Sequence, residues 1–304
     1  MPSQRLSILA AVLLAAVACG GSRAGTTPTV PSPTPGDPCQ VQPGGPGGPI
    51  TDPNGPYYHQ VVIARTADGV TLAAMHQVLD HGSVPDGARL PDGSIAIYYV
   101  NGAEGGVWMA RLVGDVATPV GPISLNGISK PGGVVDPDAT PLPDGRIRLA
   151  YLSNLAPLGG PASRSMCVAE SSDGVNFQVV GPAITFAAGG TETDPSLVSL
   201  LDGSWLMAVS RGQQTIMTRS SNGLSFSAYD TLGYGGVPEL ARLSDGRVRL
   251  YVCAAGIESY VSNDTGRSWQ RETTVVPAGT LGKRIVCDPS MVSGTDVFIF
   301  KTGS

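Results

Sequence analysis

The sequence predicts an all-β protein, a five-bladed β-propeller with four antiparallel strands in each blade. The first observation is a repeat: the stretch from Val84-Pro85 to Asp92-Gly93 returns in three full copies and one shortened copy, at an average spacing of about fifty residues. These copies begin at Asp136, Asp194, Val237 and Asp288. Repeats of this period are typical of solenoids and propellers. The second observation is that the apolar runs are short and β-rich, and none keeps a helical period long enough for a buried helix.

Each copy of the repeat predicts four strands. An inner strand follows the Xaa-Pro start, a second strand follows the Asp-Gly turn, and two more flank a further turn, which makes one propeller blade. The chain ends after two strands of the fifth unit, Asp288 to Val292 and Asp296 to Lys301, and begins with two others, Gln60 to Thr66 and Val70 to Val78. We expect the N-terminal pair to complete the C-terminal blade, because a closed ring leaves no exposed sheet edge.

A second element recurs between the copies and predicts a hairpin turn. It is clearest from Ser262 to Trp269, and weaker forms begin at Thr66, Ser171 and Ser220. Asp, Asn and Gly tolerate the left-handed backbone of such a turn, and the aromatic residue that follows can cover the blade edge. The stretch from Ser262 to Trp269 resembles the Asp box, Ser-x-Asp-x-Gly-x-Ser/Thr-Trp, of sialidases and many other propellers. That resemblance implies the fold and does not imply an activity.

The N-terminus has the composition of an export signal. Arg5 precedes an apolar stretch, Leu6 to Val17, that is too short to span a bilayer. It ends on Ala16-Val17-Ala18-Cys19, which resembles the lipoprotein cleavage box of bacteria. We therefore expect a signal peptide over residues 1–18, a lipidated Cys19, and an extracytoplasmic protein anchored by lipid to the bacterial cell envelope. The alternative is an ordinary secretory signal with an incidental cysteine.

Composition divides the rest of the chain into two parts. Residues 19–56 are mostly Gly, Pro, Thr and Ser, which cannot bury enough apolar surface to fold, so we expect a disordered tether. Residues 57–304 have the size of one domain, and we expect a monomer. The formal net charge is −5 without a Lys/Arg cluster, so nothing favours nucleic acid as a partner, and the membrane is expected as a partner only through the lipid anchor.

Four cysteines besides Cys19 are expected to be structural. They show no Cys-x-x-Cys spacing, and three pairings are possible. Cys253 ends a predicted second strand and Cys287 precedes the next inner strand, so both should lie on one face in neighbouring blades and form a disulfide. Cys39 and Cys167 would then form the other bond. The three histidines have no spacing of a metal site, so we expect no metal ligands of that kind.

The two faces of the predicted ring differ in their loops. Connections after the first and third strands are tight Asp-Gly turns, and we call that side the turn face. Connections after the second and fourth strands are long and varied, and we call that side the loop face. Function usually lies on long loops held by a rigid scaffold. We therefore expect one axial pit on the loop face, surrounded by the carboxylates at the starts of the inner strands: Asp136, Asp138, Glu192, Asp194, Glu239 and Asp288.

Inner strands that open with Asp-Pro give the chain a resemblance to the arabinanase and xylosidase group of glycoside hydrolases. The resemblance implies inverting hydrolysis of a glycan, with an Asp base, a second Asp that tunes pKa values and a Glu acid from three successive blades. By position these are Asp136, Asp194 and Glu239. Glu239 follows its proline, whereas the acid of the family precedes a Gly-Pro, so Glu192 is the alternative acid.

Three other interpretations stay open. Asp before Pro can accept local backbone hydrogen bonds, so the carboxylates can be scaffold in a propeller that binds glycan or protein without catalysis. A sialidase-like exo-glycosidase would need three arginines to hold a carboxylate, and Arg164, Arg211 and Arg284 fall near the loop face. No cofactor is required, although several axial carboxylates would suit a Ca²⁺ ion.

Overall fold

Short β-rich runs separated by Gly- and Asp-containing turns form 24 strands in the part of the chain that the computed structural model describes, residues 37–48, 50–153 and 159–304. In chain order they are β1 (Gln42–Pro43), β2 (His59–Arg65), β3 (Ala73–Asp80), β4 (Gly82–Arg89), β5 (Ile95–Asn101), β6 (Val107–Val113), β7 (Val116–Pro122), β8 (Ser124–Leu125), β9 (Ile128–Ser129), β10 (Pro131–Gly132), β11 (Val134–Pro141), β12 (Ile147–Ser153), β13 (Arg164–Ser171), β14 (Asn176–Phe186), β15 (Glu192–Ser199), β16 (Trp205–Arg211), β17 (Gln214–Ser220), β18 (Ser227–Leu232), β19 (Glu239–Arg242), β20 (Val248–Cys253), β21 (Ile257–Ser262), β22 (Gln270–Val276), β23 (Ile285–Met291) and β24 (Val297–Gly303). Two short 3₁₀ turns lie at Pro56–Tyr58 and Thr280–Gly282.

The strands form the predicted five-bladed propeller. Four blades use consecutive strands, from β4 to β7, from β11 to β14, from β15 to β18 and from β19 to β22. The fifth blade has the order β23-β24-β2-β3, so the N-terminal pair completes it. The register of β2 on β24 runs from His59 opposite Gly303 to Arg65 opposite Val297. This confirms the predicted ring closure, which protects the edges of both terminal strands.

Apolar side chains fill the spaces between neighbouring blades. Five buried clusters are formed, one for each of the five spaces. Between the first and second blades, for example, Tyr98 packs with Tyr151 and Phe177, all fully buried. The two faces of a blade therefore pack against the blades on either side. Because both faces are covered, the sequences of the inner strands are nearly continuous apolar runs.

Short polar side chains stabilise the outer hairpins by accepting hydrogen bonds from backbone N–H groups. Oδ1 of Asp264 accepts from the backbone N–H groups of Arg267 and Ser268, at 3.0 and 2.9 Å. Asp173 and Asn222 accept in the same way in the second and third blades. These side chains replace the backbone partners that a tight turn lacks. Phe177 and Phe226 then lie buried beside their turns.

The described part of the predicted tether is not detached from the propeller, which corrects the expectation for residues 37–48 and 50–56. Cys39 is buried and disulfide-bonded to Cys167. β1 pairs with β10, and the Gly44 N–H donates to the Lys130 carbonyl at 2.8 Å. We call residues 37–58 the strap. The expected bond between Cys39 and Cys167 already tied this segment to the propeller, and its low apolar content did not reveal the backbone pairing with β10. The predicted signal peptide and Cys19 lie outside the described residues.

Both expected disulfides are present. Cys253 and Cys287 join β20 to β23 with a Cα–Cα distance of 5.3 Å, and Cys39 and Cys167 lie 5.8 Å apart. Among the described residues, no helix has the length and apolar character needed to cross a membrane.

Candidate functional site

A strained backbone position repeats in every inner strand. The residue before the proline has a positive φ in all five blades, with values from 44° to 53°. These residues are Val84, Asp136, Asp194, Val237 and Asp288. Proline disfavours the right-handed helical conformation for its predecessor, and the left-handed region costs most residues about 1–2 kcal/mol. In four of the blades the strand register also shifts here, so each of those inner strands contains a bulge.

The repeated conformation arranges the residues on either side of each proline around the propeller axis. Except for Ser196 and Ser290, they line a narrow axial channel of about 20 Å³, which is close to the space needed by a single water molecule. Of the six carboxylates expected around one pit, five line this channel, and Glu192 is outside its lining. The expectation of a single pit therefore needs correction, because the carboxylates form two levels.

The upper level consists of Asp136, Asp194 and Asp288, at the loop-face end of the channel. Oδ2 of Asp136 accepts a hydrogen bond from the backbone N–H of Asp194 at 3.2 Å. Asp288 is 4% exposed and its Oδ2 lies 2.5 Å from Nζ of Lys301. Lys301 was not among the predicted site residues. It comes from the last strand, and only the pairing of β24 with β23 places it beside Asp288.

Burial dominates the acidity of the upper level. It raises the pKa of Asp136 to about 6, and the hydrogen bond from the Asp194 N–H opposes that shift. Burial also raises the pKa of Asp194 well above its ordinary value, and the negative charges of Asp136 and Asp288 raise it further. Burial therefore favours the protonated form of both adjacent carboxyl groups, and carboxyl groups with raised pKa values serve in acid–base chemistry.

The lower level is a closed ring of hydrogen bonds between blades. Its members directly follow the five prolines: Asp86, Asp138, Ser196, Glu239 and Ser290. The side chain of each member accepts a hydrogen bond from a backbone N–H group of the next blade. The donor is the residue that directly follows the ring member of that next blade. The donors, in the same order, are Ala139, Leu197, Leu240, Met291 and Gly87. The last bond joins the fifth blade to the first. This ring holds all five inner strands together around the axis.

The ring changes the interpretation of Glu239 and Asp138. Glu239 is 6% exposed; its Oε1 accepts from the Met291 N–H at 3.1 Å and its Oε2 accepts from the Ser196 hydroxyl at 2.8 Å. Asp138 accepts from the Leu197 N–H at 3.1 Å. Both oxygens of Glu239 are thus engaged in contacts between blades. The structure gives Glu239 a scaffold role that its position in the sequence did not reveal.

Glu192 lies at the first residue of β15, above the channel. Its Oε1 accepts from Nε of Arg211 at 2.9 Å, whereas its Oε2 is buried without a hydrogen-bond partner among the described residues. Arg164 is 1% exposed and donates to the backbone carbonyl of Glu192 at 3.4 Å. Two of the three predicted arginines therefore meet at Glu192. Arg284 is elsewhere, where it is hydrogen-bonded to Asn54 and to the Ser304 carbonyl.

A much larger cavity opens on the turn face. Its volume is about 740 Å³, and Asp86, Asp138 and Glu239 lie at its inner end, where it adjoins the axial channel. We call it the turn-face cavity. No site was expected on this face, because every loop there is short. Asp86 was also missed, although it occupies the same position in its repeat as Asp138 and Glu239.

Two groups of side chains have the composition of a metal site. Asp86, Asp138 and Glu239 each offer one oxygen, and these atoms lie within 4.8 Å of one another, which suits a hard cation such as Ca²⁺. The second group, Cys253, Cys287 and Asp288, does not fit, because both thiols form a disulfide. The residues that could hold Ca²⁺ are therefore those of the lower level and not the predicted base, Asp136.

Comparison with known proteins shows the fold. No protein-family model and no curated protein match the sequence. A protein of unknown function from Dyadobacter fermentans is similar with a TM-score of 0.56 and 17% identity, over 85% of this chain and 86% of that one. An α-L-arabinanase from Penicillium chrysogenum, complexed with arabinobiose, is similar with a TM-score of 0.51 and 15% identity, over 81% and 79%. At these identities the likeness extends to the fold alone.

Proposed function

We propose that this protein is a glycan-active propeller that hydrolyses glycosidic bonds on the loop face, above Asp136 and Asp194. The observation that carries the proposal is the contact between these two residues at the axis. They lie in neighbouring blades, in the same strained conformation, and burial raises both pKa values. Paired carboxyls with raised pKa values are groups that glycoside hydrolysis uses.

The contacts suggest how the roles are divided in an inverting reaction. The Asp194 N–H and the positive charges of Lys301 and Arg164 favour the ionised form of Asp136. Asp136 would take a proton from the attacking water as its oxygen bonds to the anomeric carbon. Asp194, in contact with Asp136, would tune the pKa of that base, and Glu192 would give its proton to the departing glycosidic oxygen as the carbon–oxygen bond breaks. Arg211 would hold Glu192 in place by donating to its Oε1, and Glu239 would have no part in proton transfer.

The cellular setting is part of the proposal. Two disulfides suit an oxidising compartment outside the cytoplasm, in agreement with the export signal and the lipid anchor expected at Cys19. The arabinobiose bound by the structurally similar arabinanase makes arabino-oligosaccharides the first substrates to test.

The test is hydrolysis of aryl glycosides and of arabino- and xylo-oligosaccharides by the full-length protein. Asp136→Asn should lower the rate at least a hundredfold, the usual contribution of a general acid or base, and Asp194→Asn should lower it by disturbing the pKa of that base. Asp144→Asn is the matched control, because Asp144 is exposed in a turn on the opposite face. If hydrolysis occurs and both axial variants keep the full rate, the assignment is wrong. The anomer released first shows whether the reaction inverts.

A second function is favoured by the hydrogen-bond ring. Asp138 and Glu239 are used between blades, which is the arrangement expected of a propeller that binds glycan without cleaving it. Saturable binding of an oligosaccharide with no product after prolonged incubation would support this alternative and would contradict the hydrolase.

A further inference from the structure

The turn-face cavity has the size and closure of a small-molecule site. Its volume of about 740 Å³ lies within the usual range for ligand pockets, roughly 300–1,000 Å³. It opens between the tight turns of neighbouring blades and narrows toward the axis, where the lower-level carboxyl groups lie. It is at the opposite end of the channel from Asp136 and Asp194, so an occupant would not depend on the proposed hydrolase.

The inner end of the cavity attracts positive charge. Asp86, Asp138 and Glu239 are each about 6% exposed, with oxygens within 4.8 Å of one another. Burial raises the pKa of Glu239 well above its ordinary value, and the charges of Asp86 and Asp138 raise it further. A cationic group placed among these three carboxyls would offset their mutual repulsion.

Aliphatic side chains line part of the cavity wall, and the mouth of the cavity is positive. Leu90, Leu142 and Leu243 line the wall. Arg89 and Arg242 are exposed and also line the cavity, so their charges lie toward the mouth. Arg242 donates to the Ser199 carbonyl at 3.1 Å, whereas Arg89 has no ion-pair or hydrogen-bond partner among the residues that the structure describes. An available guanidinium is well suited to bind a carboxylate.

We propose that the turn-face cavity binds an ω-amino acid, with its ammonium group among Asp86, Asp138 and Glu239 and its carboxylate at Arg89. The order of groups along the cavity favours an ω-amino acid. Carboxyl groups lie at the inner end, aliphatic side chains line part of the wall, and an arginine lies at the mouth. A bare metal ion would use only the inner end, and a neutral sugar would use neither set of charges.

Isothermal titration of the full-length protein tests the proposal with three probes of similar length. We expect 6-aminohexanoate to bind at least tenfold more tightly than hexylamine, which lacks the carboxylate, and than hexanoate, which lacks the ammonium group. A charge-assisted hydrogen bond contributes about this factor. Equal binding of all three probes, or no binding of 6-aminohexanoate at millimolar concentration, would overturn the proposal. So would Ca²⁺ binding that excludes 6-aminohexanoate completely.

Variants locate the site. Asp138→Ser removes one carboxyl and keeps the ring bond, because serine already accepts the equivalent N–H at Ser196 and Ser290. Arg89→Gln changes an exposed side chain, so folding should not be affected. Each should weaken 6-aminohexanoate binding about tenfold or more. Asp202→Asn, outside the cavity lining on the same face, is the control and should bind normally. Unchanged binding by both cavity variants would contradict the assignment.

Discussion

Oε1 of Glu239 accepts a hydrogen bond from the backbone N–H of Met291 at 3.1 Å, and this contact joins the fourth blade to the fifth. Its Oε2 accepts from the Ser196 hydroxyl of the third blade at 2.8 Å. One buried carboxyl thus contacts both neighbouring blades. A buried donor that loses its acceptor destabilises a protein by about 1–3 kcal/mol, so Glu239 should matter for stability even if it takes no part in a reaction.

Replacing Glu239 should therefore separate a scaffold role from a catalytic one. We expect Glu239→Ala to lower the free energy of unfolding by about 2–4 kcal/mol, because two buried donors lose their acceptor. Glu239→Gln keeps one acceptor oxygen and should lower it by less than half as much. Chemical denaturation at neutral pH measures both values. If Glu239→Ala is as stable as the parent but abolishes hydrolysis, then Glu239 is the general acid and the scaffold interpretation fails.

The strained position before each proline gives a second prediction. Val237 has a φ of 44°, a conformation that a β-branched residue adopts at a higher cost than asparagine. Val237→Asn should raise the free energy of unfolding by up to about 1 kcal/mol. Val135→Asn is the matched control, since Val135 is also partly buried and has no positive φ. Val135→Asn should destabilise the protein. If thermal melts show that the melting temperature falls equally in the two variants, the argument from strain is refuted.

The repeat was sufficient to predict the blades and their closure. The Asp-Gly turns and apolar runs recur at fixed positions, so the four strands of each blade and the pairing of β2 with β24 follow from local patterns. The disulfide between Cys253 and Cys287 also follows, because their places in the repeat put them on one face. In each case a short-range pattern determines the structure.

The two levels of axial carboxylates could not be read from the repeat. A bulge and a positive φ at each proline give the residues on its two sides different partners, so the carboxyl groups before the prolines and those after them line the axial channel at two levels. Asp86 follows the proline of its repeat just as Asp138 does, so its place at the axis could have been predicted from the sequence. Lys301 had no motif of its own, since its place beside Asp288 depends on the register of the β23–β24 hairpin. The strap had a signal in the expected bond between Cys39 and Cys167, but its composition favoured a tether.

Stability should fall as pH rises from about 4 to about 6. Burial raises the pKa of Asp86 and of Asp136 from 3.8 to about 6. Between these values the folded protein binds more protons than the unfolded chain, so each increase in pH favours unfolding. The loss is on the order of 3 kcal/mol for each group at most. It extends to higher pH, because burial also raises the pKa values of Asp138, Asp194 and Glu239 well above their ordinary values. Denaturant titrations from pH 4 to pH 8 measure it.

The opposite trend should appear at lower pH. Hydrogen bonds from Ser268 lower the pKa of Asp264 to about 2, so its contribution is lost as pH falls below about 4. Burial also lowers the pKa of His59 from 6.5 to about 4, so its contribution to stability rises between these pH values and offsets part of the fall expected from Asp86 and Asp136. Asp86→Asn keeps an acceptor for the Ala139 N–H and should reduce the slope between pH 4 and pH 6. A parent protein whose stability rises steadily from pH 4 to pH 7 would contradict the raised pKa values.

The strap provides a last prediction, from the lengths of the two disulfide loops. Cys39 and Cys167 are 128 residues apart, whereas Cys253 and Cys287 are 34 apart. In the chain-entropy model, cross-links of these lengths stabilise by about 5 and about 4 kcal/mol. The free energy of unfolding should nevertheless fall less in the double variant Cys39→Ser/Cys167→Ser than in Cys253→Ser/Cys287→Ser. The strap can detach while the propeller stays folded, since its backbone pairing is with β10, which belongs to none of the five blades, and its other strand contacts are with β9, β4 and β5. Limited proteolysis should then cut residues 37–56 in the first variant only. Protection of that segment without the disulfide would show that backbone pairing alone holds the strap.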